Sequence, residues 1–563
     1  MRIVAPLLLA FALLVSSAAP APVGAQVGPP PNPKISPALL VKMAANALAR
    51  QPIILEMEHA AAPFSGSVNV QRTQAALALL GQFGTAVGGL AIIDAAAGYA
   101  NAAGIQALAA VPGVAYVHED ASVASRRLHT GTPPPWAPGR LASLYPQITQ
   151  AYQVWAQGQG AGITVAVLDS GVANDADLNG RIVASANFAD PYPDASKDPG
   201  GHGTHIAGII ASNGQSTAGE YVGMAPAAKI ADVRVLTEDG GGRISSVVRG
   251  VEWVLGHRTQ YNIRVMNLSF GAPPPPSNSY VTDPLSAAIE IAVRRGVVAI
   301  VAAGNTGPNS GTVESPGIDP LAITVGALDD QGTLSLADDV LAWFSAWGTS
   351  AGGGAKPDVI APGRKLYSLR VPGSKIDTLY PDHVGYASNG TSMTRLTGTS
   401  QATGVVSGAA ALVLGHLPEL KPSQLKSIVT MTAVGYGGVG ALPDPSADGR
   451  GLLNAQAAFQ SGVPSGGSTG WRPSDAVARA LYPALYGQPL VWRDPTYLGI
   501  AWNTLNWATL SWDNIAWDNI AWDNIAWDNI AWDNIAWDQT AWDNIAWDNI
   551  AWDNIAWDNI AWD

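Results

Sequence analysis

No cysteine occurs among the 563 residues. That excludes disulfides, a cysteine nucleophile and a lipidated-cysteine anchor, and a chain of this length can bury a core without cross-links. Charge is also scarce, at 13% Asp, Glu, Lys and Arg. The formal balance is −13, which argues against a nucleic-acid partner, since a phosphate backbone calls for basic residues. The acidity is local. Eleven aspartates, from Asp513 to Asp563 at steps of five, have no lysine or arginine among them and carry 11 of the 13 net charges. The rest of the chain is close to neutral. After the first residues, no apolar run reaches membrane-spanning length without Gly, Pro or polar interruption.

Length alone allows several domains. Residues 1–25 read as a signal peptide: Arg2 is the positive end, Ile3 to Val15 the apolar stretch, and Val23-Gly24-Ala25 a small-residue cleavage site. The alternative is an uncleaved anchor. Residues 26–126 follow, proline-rich and then alanine-rich, with a small alternating unit at about 50–120. Strands are expected at Pro52 to His59, Gly89 to Ala95 and Val114 to Val117, and helices at Arg72 to Phe83 and Ala102 to Ala110. Residues 127–460 form the largest unit, which opens on an extended Pro-rich linker, Thr130 to Arg140. The Gly/Ser/Pro-rich stretch that begins 461–500 reads as another linker.

The large unit carries three strings that matter together. Asp169 ends the apolar run Val165-Ala166-Val167-Leu168, which reads as a buried parallel strand. His202 sits between Gly201 and Gly203, just before a helical stretch from Ile206 to Ile210. Ser400 follows Gly398-Thr399 and opens a helix-like run to Leu414, where the positive helix end favours a nucleophilic oxygen. A serine hydroxyl needs a base, and the base needs a partner that fixes its tautomer. Asn305, after the buried run Val297 to Val301, offers an amide to a developing oxyanion. A second serine string, Asn389-Gly390-Thr391-Ser392-Met393, competes for the nucleophile's place. Ser400 is preferred because Gly408 and Ala409-Ala410-Ala411-Leu412 supply the helix that must follow.

The order Asp, His, Ser, with these flanking residues, resembles the subtilisin-like serine peptidases over roughly residues 145 to 460. The resemblance implies an α/β fold, a mainly parallel sheet with helices on both faces. It implies that Asp169 orients, His202 is the general base, Ser400 the nucleophile and Asn305 the oxyanion donor. Asn267-Leu268-Ser269-Phe270-Gly271 resembles the family's substrate-binding strand. Ser269, Phe270, Gly271 and Gly304 are therefore expected at the substrate, with Phe270 and the Gly304 strand shaping the first pocket. His205 reads as a structural helix residue. Gln401 and Thr403-Gly404 depart from the family's usual methionine and small residue-proline, without removing a catalytic group. Asp177 matches the position of a common calcium ligand, so the resemblance implies a structural calcium there, although the chemistry requires no cofactor. The string Val111 to Asp120 resembles the end of the family's inhibitor-type propeptide. That implies a small α+β domain acting as chaperone and inhibitor, released by cleavage near Ser125-Arg126-Arg127.

Residues 501–563 repeat a five-residue unit, Trp-Asp-Asn-Ile-Ala, nearly unchanged from Trp512. A period of five flips faces on a strand and smears round a helix. A β-solenoid with whole repeats per coil would stack like on like. The tail reads either as a module for a cell-surface polymer or as a low-complexity extension. Two functions stand at this stage. One is a secreted, self-processing serine endopeptidase acting on proteins or peptides, with its own propeptide as inhibitor. The other is a wall-associated binding protein whose tail carries the function.

Overall fold

The computed structural model describes residues 32–58, 70–124, 141–189, 197–274, 279–350, 354–437 and 446–464, together with Ser474 and Val477. The expected leader, the Arg126-Arg127 pair and the repeat tail lie outside the described residues. Among the described residues no helix is long and apolar enough to cross a membrane.

The large unit is built on one sheet. Its strands lie in the order Val340–Leu341, Ile323–Asp329, Val298–Ala302, Ile263–Leu268, Thr164–Asp169, Lys229–Arg234, Ile182–Asn187, and Val359–Pro362 also pairs with Ile323–Asp329. All pairings are parallel except that of the edge strand Val340–Leu341. Side chains alternate between two cores. Val165 and Val167 join the core under the helices His202–Ala211 and Thr399–His416, while Ala166 and Leu168 join that under Ile244–His257 and Pro284–Arg294. Burial on both faces is why these strands read as unbroken apolar runs. Asp169 continues the odd positions, so its side chain is delivered to the His202 face.

The smaller unit is a four-stranded antiparallel sheet in the order Thr85–Leu90, Ala95–Ala100, Gln51–Met57, Val114–Glu119, with helices Val70–Phe83 and Ala102–Ala110. The expected strand Gly89 to Ala95 is in fact a corner. One strand stops at Leu90, a turn of 3-10 helix covers Ala91–Ile93, and Asp94 is left-handed (φ 50°) before the next strand begins. That next strand, Ala-Ala-Ala-Gly-Tyr-Ala, has little β propensity of its own. Pairing on both sides decides it.

The two units share a core. Ile54, Leu90, Ile92, Ile93, Ala95 and Ala97 pack with Val247, Val251, Leu285 and Ile289 of the two helices beneath. Polar contacts reinforce this. The Asp120 carboxylate accepts from the N–H and hydroxyl of Ser245 at 3.0 and 2.7 Å, where the helix start leaves amides unpaired. Glu252 accepts from the Ile92 N–H at 2.8 Å. Two residues of the stretch expected as a linker also dock here. Ser474 donates its N–H and hydroxyl to Glu290, each at 2.9 Å, and Val477 is buried in the same core.

Candidate active site

Asp169 and His202 meet because a glycine allows it. A Cβ at Gly203 would lie 2.1 Å from the Gly171 carbonyl oxygen and 3.0 Å from the Asp169 Cβ, so only glycine lets the helix start press against that strand end. The result is a carboxylate–imidazole pair: His202 Nδ1 donates to Asp169 Oδ1 at 2.8 Å and lies 3.0 Å from Oδ2. Both side chains are buried. Burial disfavours the imidazolium, but the Asp169 charge, its hydrogen bond and the charge of Asp198 outweigh this and raise the His202 pKa above its ordinary value.

Asp198 was not singled out from the sequence, because only the folded loop gives it a role. Its carboxylate accepts from Ser170 Oγ at 2.8 Å, from the Gly201 N–H at 2.7 Å and from the Thr204 N–H at 2.8 Å. It therefore caps the helix that carries His202 and ties it to the residue after Asp169. His205 is held differently. Its Nε2 faces the Leu366 and Thr394 carbonyl oxygens at 3.1 and 3.0 Å, and burial pushes its pKa down to about 3. A neutral ring donating there anchors the helix to the small three-stranded sheet of Leu366–Ser368, Ser392–Leu396 and Val384–Tyr386.

Ser400 stands two residues inside the helix capped by Gly398. This helix runs alongside that of His202. A Cβ on Gly404 would lie 3.2 Å from Ile209 Cγ2 and 3.5 Å from Ile206 Cγ2, and one on Gly408 would lie 3.1 Å from the Ile210 carbonyl oxygen. One and two turns in, the helices keep step, so their starts, with Ser400 and His202, share one end. In this structure Ser400 Oγ donates to the Ser269 carbonyl at 2.9 Å, and Ser269 Oγ donates back to the Ser400 carbonyl at 2.9 Å. A turn about the Ser400 side chain would be needed to present its proton to His202 Nε2. Ser392 lies on a strand, and its hydroxyl accepts from Arg370 Nη1 at 3.0 Å.

Asn305 is oriented by a residue that the sequence reading gave no role. Its Oδ1 accepts from the Thr399 N–H at 2.9 Å and from Thr399 Oγ1 at 2.8 Å. The amide nitrogen Nδ2 lies beside Gly398, where a Cβ would meet it at 2.9 Å. The Ser400 N–H is one of the helix-start amides that lack an intrahelical acceptor. Of the substrate-strand residues, Ser269 touches Ser400, while the Phe270 ring is buried in the helix-covered core with Leu268 and Ala272. Gly271 and Gly304 stand on either side of Glu314.

Asp177 is fully buried. Its Oδ2 accepts from Ser212 Oγ at 2.9 Å and its Oδ1 from the Ser216 N–H at 2.5 Å. Among the described residues no group of three or more His, Asp or Glu is placed to hold a metal ion.

A carboxylate–imidazole pair, a serine at a neighbouring helix start and an asparagine bonded to the residue before that serine fit acyl transfer. The comparisons agree. Residues 160–462 match the model of the subtilase family. The serine protease AprX of Bacillus subtilis (strain 168) is 39% identical over 324 residues, covering 55% of this chain and 70% of that protein. The alkaline protease of Shouchella clausii is 33% identical over 355 residues, covering 63% and 76%. The crystal structure of fervidolysin from Fervidobacterium pennivorans, a keratinolytic enzyme related to subtilisin, superposes with a TM-score of 0.57 at 25% identity, covering 75% of this chain and 62% of that one. The chain belongs to the subtilase family and is a subtilisin-like serine protease.

Proposed function

We propose that this chain is a secreted endopeptidase that cuts peptide bonds through an acyl-enzyme on Ser400, and that it is made as a self-processing precursor. The observation that carries the chemistry is the buried Asp169–His202 pair at the end of the helix pair that also bears Ser400. Ser400 Oγ attacks the carbonyl while His202 Nε2 takes its proton. His202 then gives that proton to the leaving amine, and water, activated by the same base, hydrolyses the ester. Asp169 holds the proton on Nδ1 throughout. Asn305 Nδ2 and the Ser400 N–H bind the oxyanion.

Asn305→Leu keeps the size but removes the donor. We expect kcat to fall about 10²–10³-fold, the cost of losing one such donor in the relative subtilisin, with KM little changed. Steady-state kinetics on a peptide amide, normalised to titrated active sites, checks this, and a rise in KM with kcat unchanged would mean that Asn305 binds the substrate rather than the oxyanion.

The self-processing part is supported by where the small unit ends. The backbone N–H groups of Val235 and Leu236 donate to the Asp169 carbonyl, so the segment leaving that strand follows the rim of the catalytic sheet. Further along it, Gly241–Arg243 pairs antiparallel with Ser122–Ala124, the last described strand of the small unit. A propeptide whose C-terminal tail enters the cleft needs such a path. Expressed as residues 26–563, the wild type is expected to yield a mature species beginning within residues 122 to 131. N-terminal sequencing decides it, and a start elsewhere removes the reading.

A further inference from the structure

Glu314 lies against the segments that flank Ser400 and Asn305. A carbonyl under attack must lie against Ser400 Oγ with its oxygen toward Asn305, so the segments next to both residues wall in the side chain that precedes the scissile bond. Those segments are Ser269–Gly271, whose Ser269 carbonyl touches Ser400 Oγ, and 303–305, which ends in Asn305. Each wall has a glycine, and both glycines face one side chain. A Cβ on Gly271 would lie 2.1 Å from Glu314 Oε2. A Cβ on Gly304 would lie 2.8 Å from Glu314 Cγ, 2.9 Å from Cδ and 3.2 Å from Oε2. The carboxylate thus lies against the backbone of both walls, and it is buried.

The segment that bears it is fixed to both walls. The Glu314 N–H donates to the Ala303 carbonyl at 2.9 Å, and Ser315 exchanges two backbone bonds with Ala272 at 2.8 and 2.9 Å. Ser315 Oγ is held in turn by Asp283 at 2.6 Å. Glu314 has little room to swing out of the way. A guanidinium or ammonium group would meet it with charge-assisted hydrogen bonds.

We propose that Glu314 is a specificity-determining residue and selects arginine or lysine immediately before the scissile bond. The inference rests on the serine-protease reading. It also joins two observations that were separate: the segment after Ser122–Ala124 reads Ser125-Arg126-Arg127, so the precursor itself supplies a matching side chain.

The test is kcat/KM of the mature enzyme on peptide anilides that differ only in the residue before the bond, being Arg, Lys, Phe, Leu or Glu. Active sites are counted by fluorophosphonate titration. Arg and Lys are expected to exceed Phe and Leu by about tenfold or more. Glu314→Gln is expected to reduce the Arg-to-Leu ratio by about 30-fold or more, as when one partner of a buried charge pair is truncated. A wild type that prefers Phe or Leu, or a Glu314→Gln ratio equal to that of wild type, overturns the proposal. If Glu314→Gln yields no titratable sites, the wild-type ranking decides alone. A wild type that neither labels nor cleaves any substrate overturns the protease reading itself, which is a different result from labelling with the wrong preference.

Discussion

Ser400→Ala is expected to lower kcat by about 10⁶-fold, while Ser392→Ala leaves it within a factor of about two. The first figure is what loss of the nucleophile costs in the relative subtilisin, where the remaining rate comes from binding and the oxyanion donors. Nothing else here can replace the hydroxyl. Thr399 Oγ1 is committed to Asn305, and Ser269 Oγ donates to the Ser400 carbonyl. Ser392 opens the strand Ser392–Leu396, paired there with Tyr386, with its oxygen turned to Arg370. Alanine at 400 also removes only one exchange with Ser269 and leaves the helix cap intact, so the variant should fold. Circular dichroism and the melting temperature verify that, and peptide hydrolysis reads the loss. An inactive Ser392→Ala beside an active Ser400→Ala would shift the nucleophile by one loop and dissolve the oxyanion assignment with it.

What the sequence revealed depended on whether a feature was local. Asp169, His202, Ser400 and Asn305 each sit in a short string whose neighbours declare a strand end or a helix start, and the structure puts each at such a place. The parallel sheet was legible because strands buried on both faces have no polar alternation to confuse them. Contacts made across the chain left no local trace. Asp198 looks like one more loop carboxylate until Gly201, Thr204 and Ser170 converge on it. Thr399 gains its role only opposite Asn305, and Glu314 only between Gly271 and Gly304. The corner at Ala91–Ile93 was missed for a related reason. Leu-Ala-Ile-Ile is as apolar as any strand, and the turn is imposed by docking, with the Ile92 N–H given to Glu252 of the other unit. Phe270 shows the opposite error. It was expected to shape the first pocket, but the period of two sends its ring into the core with Leu268 and Ala272.

Asp169→Asn is the second large effect, about 10⁴-fold in kcat near neutral pH. With aspartate, the only fit for His202 is a proton on Nδ1, given to Oδ1 at 2.8 Å, which leaves Nε2 free to accept from Ser400. Asparagine can turn its Nδ2 toward the ring, because its carbonyl oxygen can keep the bond that Oδ1 now accepts from the Ser170 N–H at 2.7 Å. The ring must then accept at Nδ1 and carry its proton on Nε2, facing Ser400, where a base is needed and a donor is useless. The pH profile separates this from a mere loss of packing. Activity requires neutral His202. In the wild type, burial works against the charged ring, but the charge and hydrogen bond of Asp169 and the charge of Asp198 overcome it. The acid limb of kcat/KM should therefore lie above about 6.5, the ordinary value for imidazole. Removing the Asp169 charge leaves burial opposed by Asp198 alone, so the limb of the variant should move to lower pH while the plateau falls. A variant that loses activity with its acid limb unmoved would mean that Asp169 acts on the position of the ring and not on its protonation.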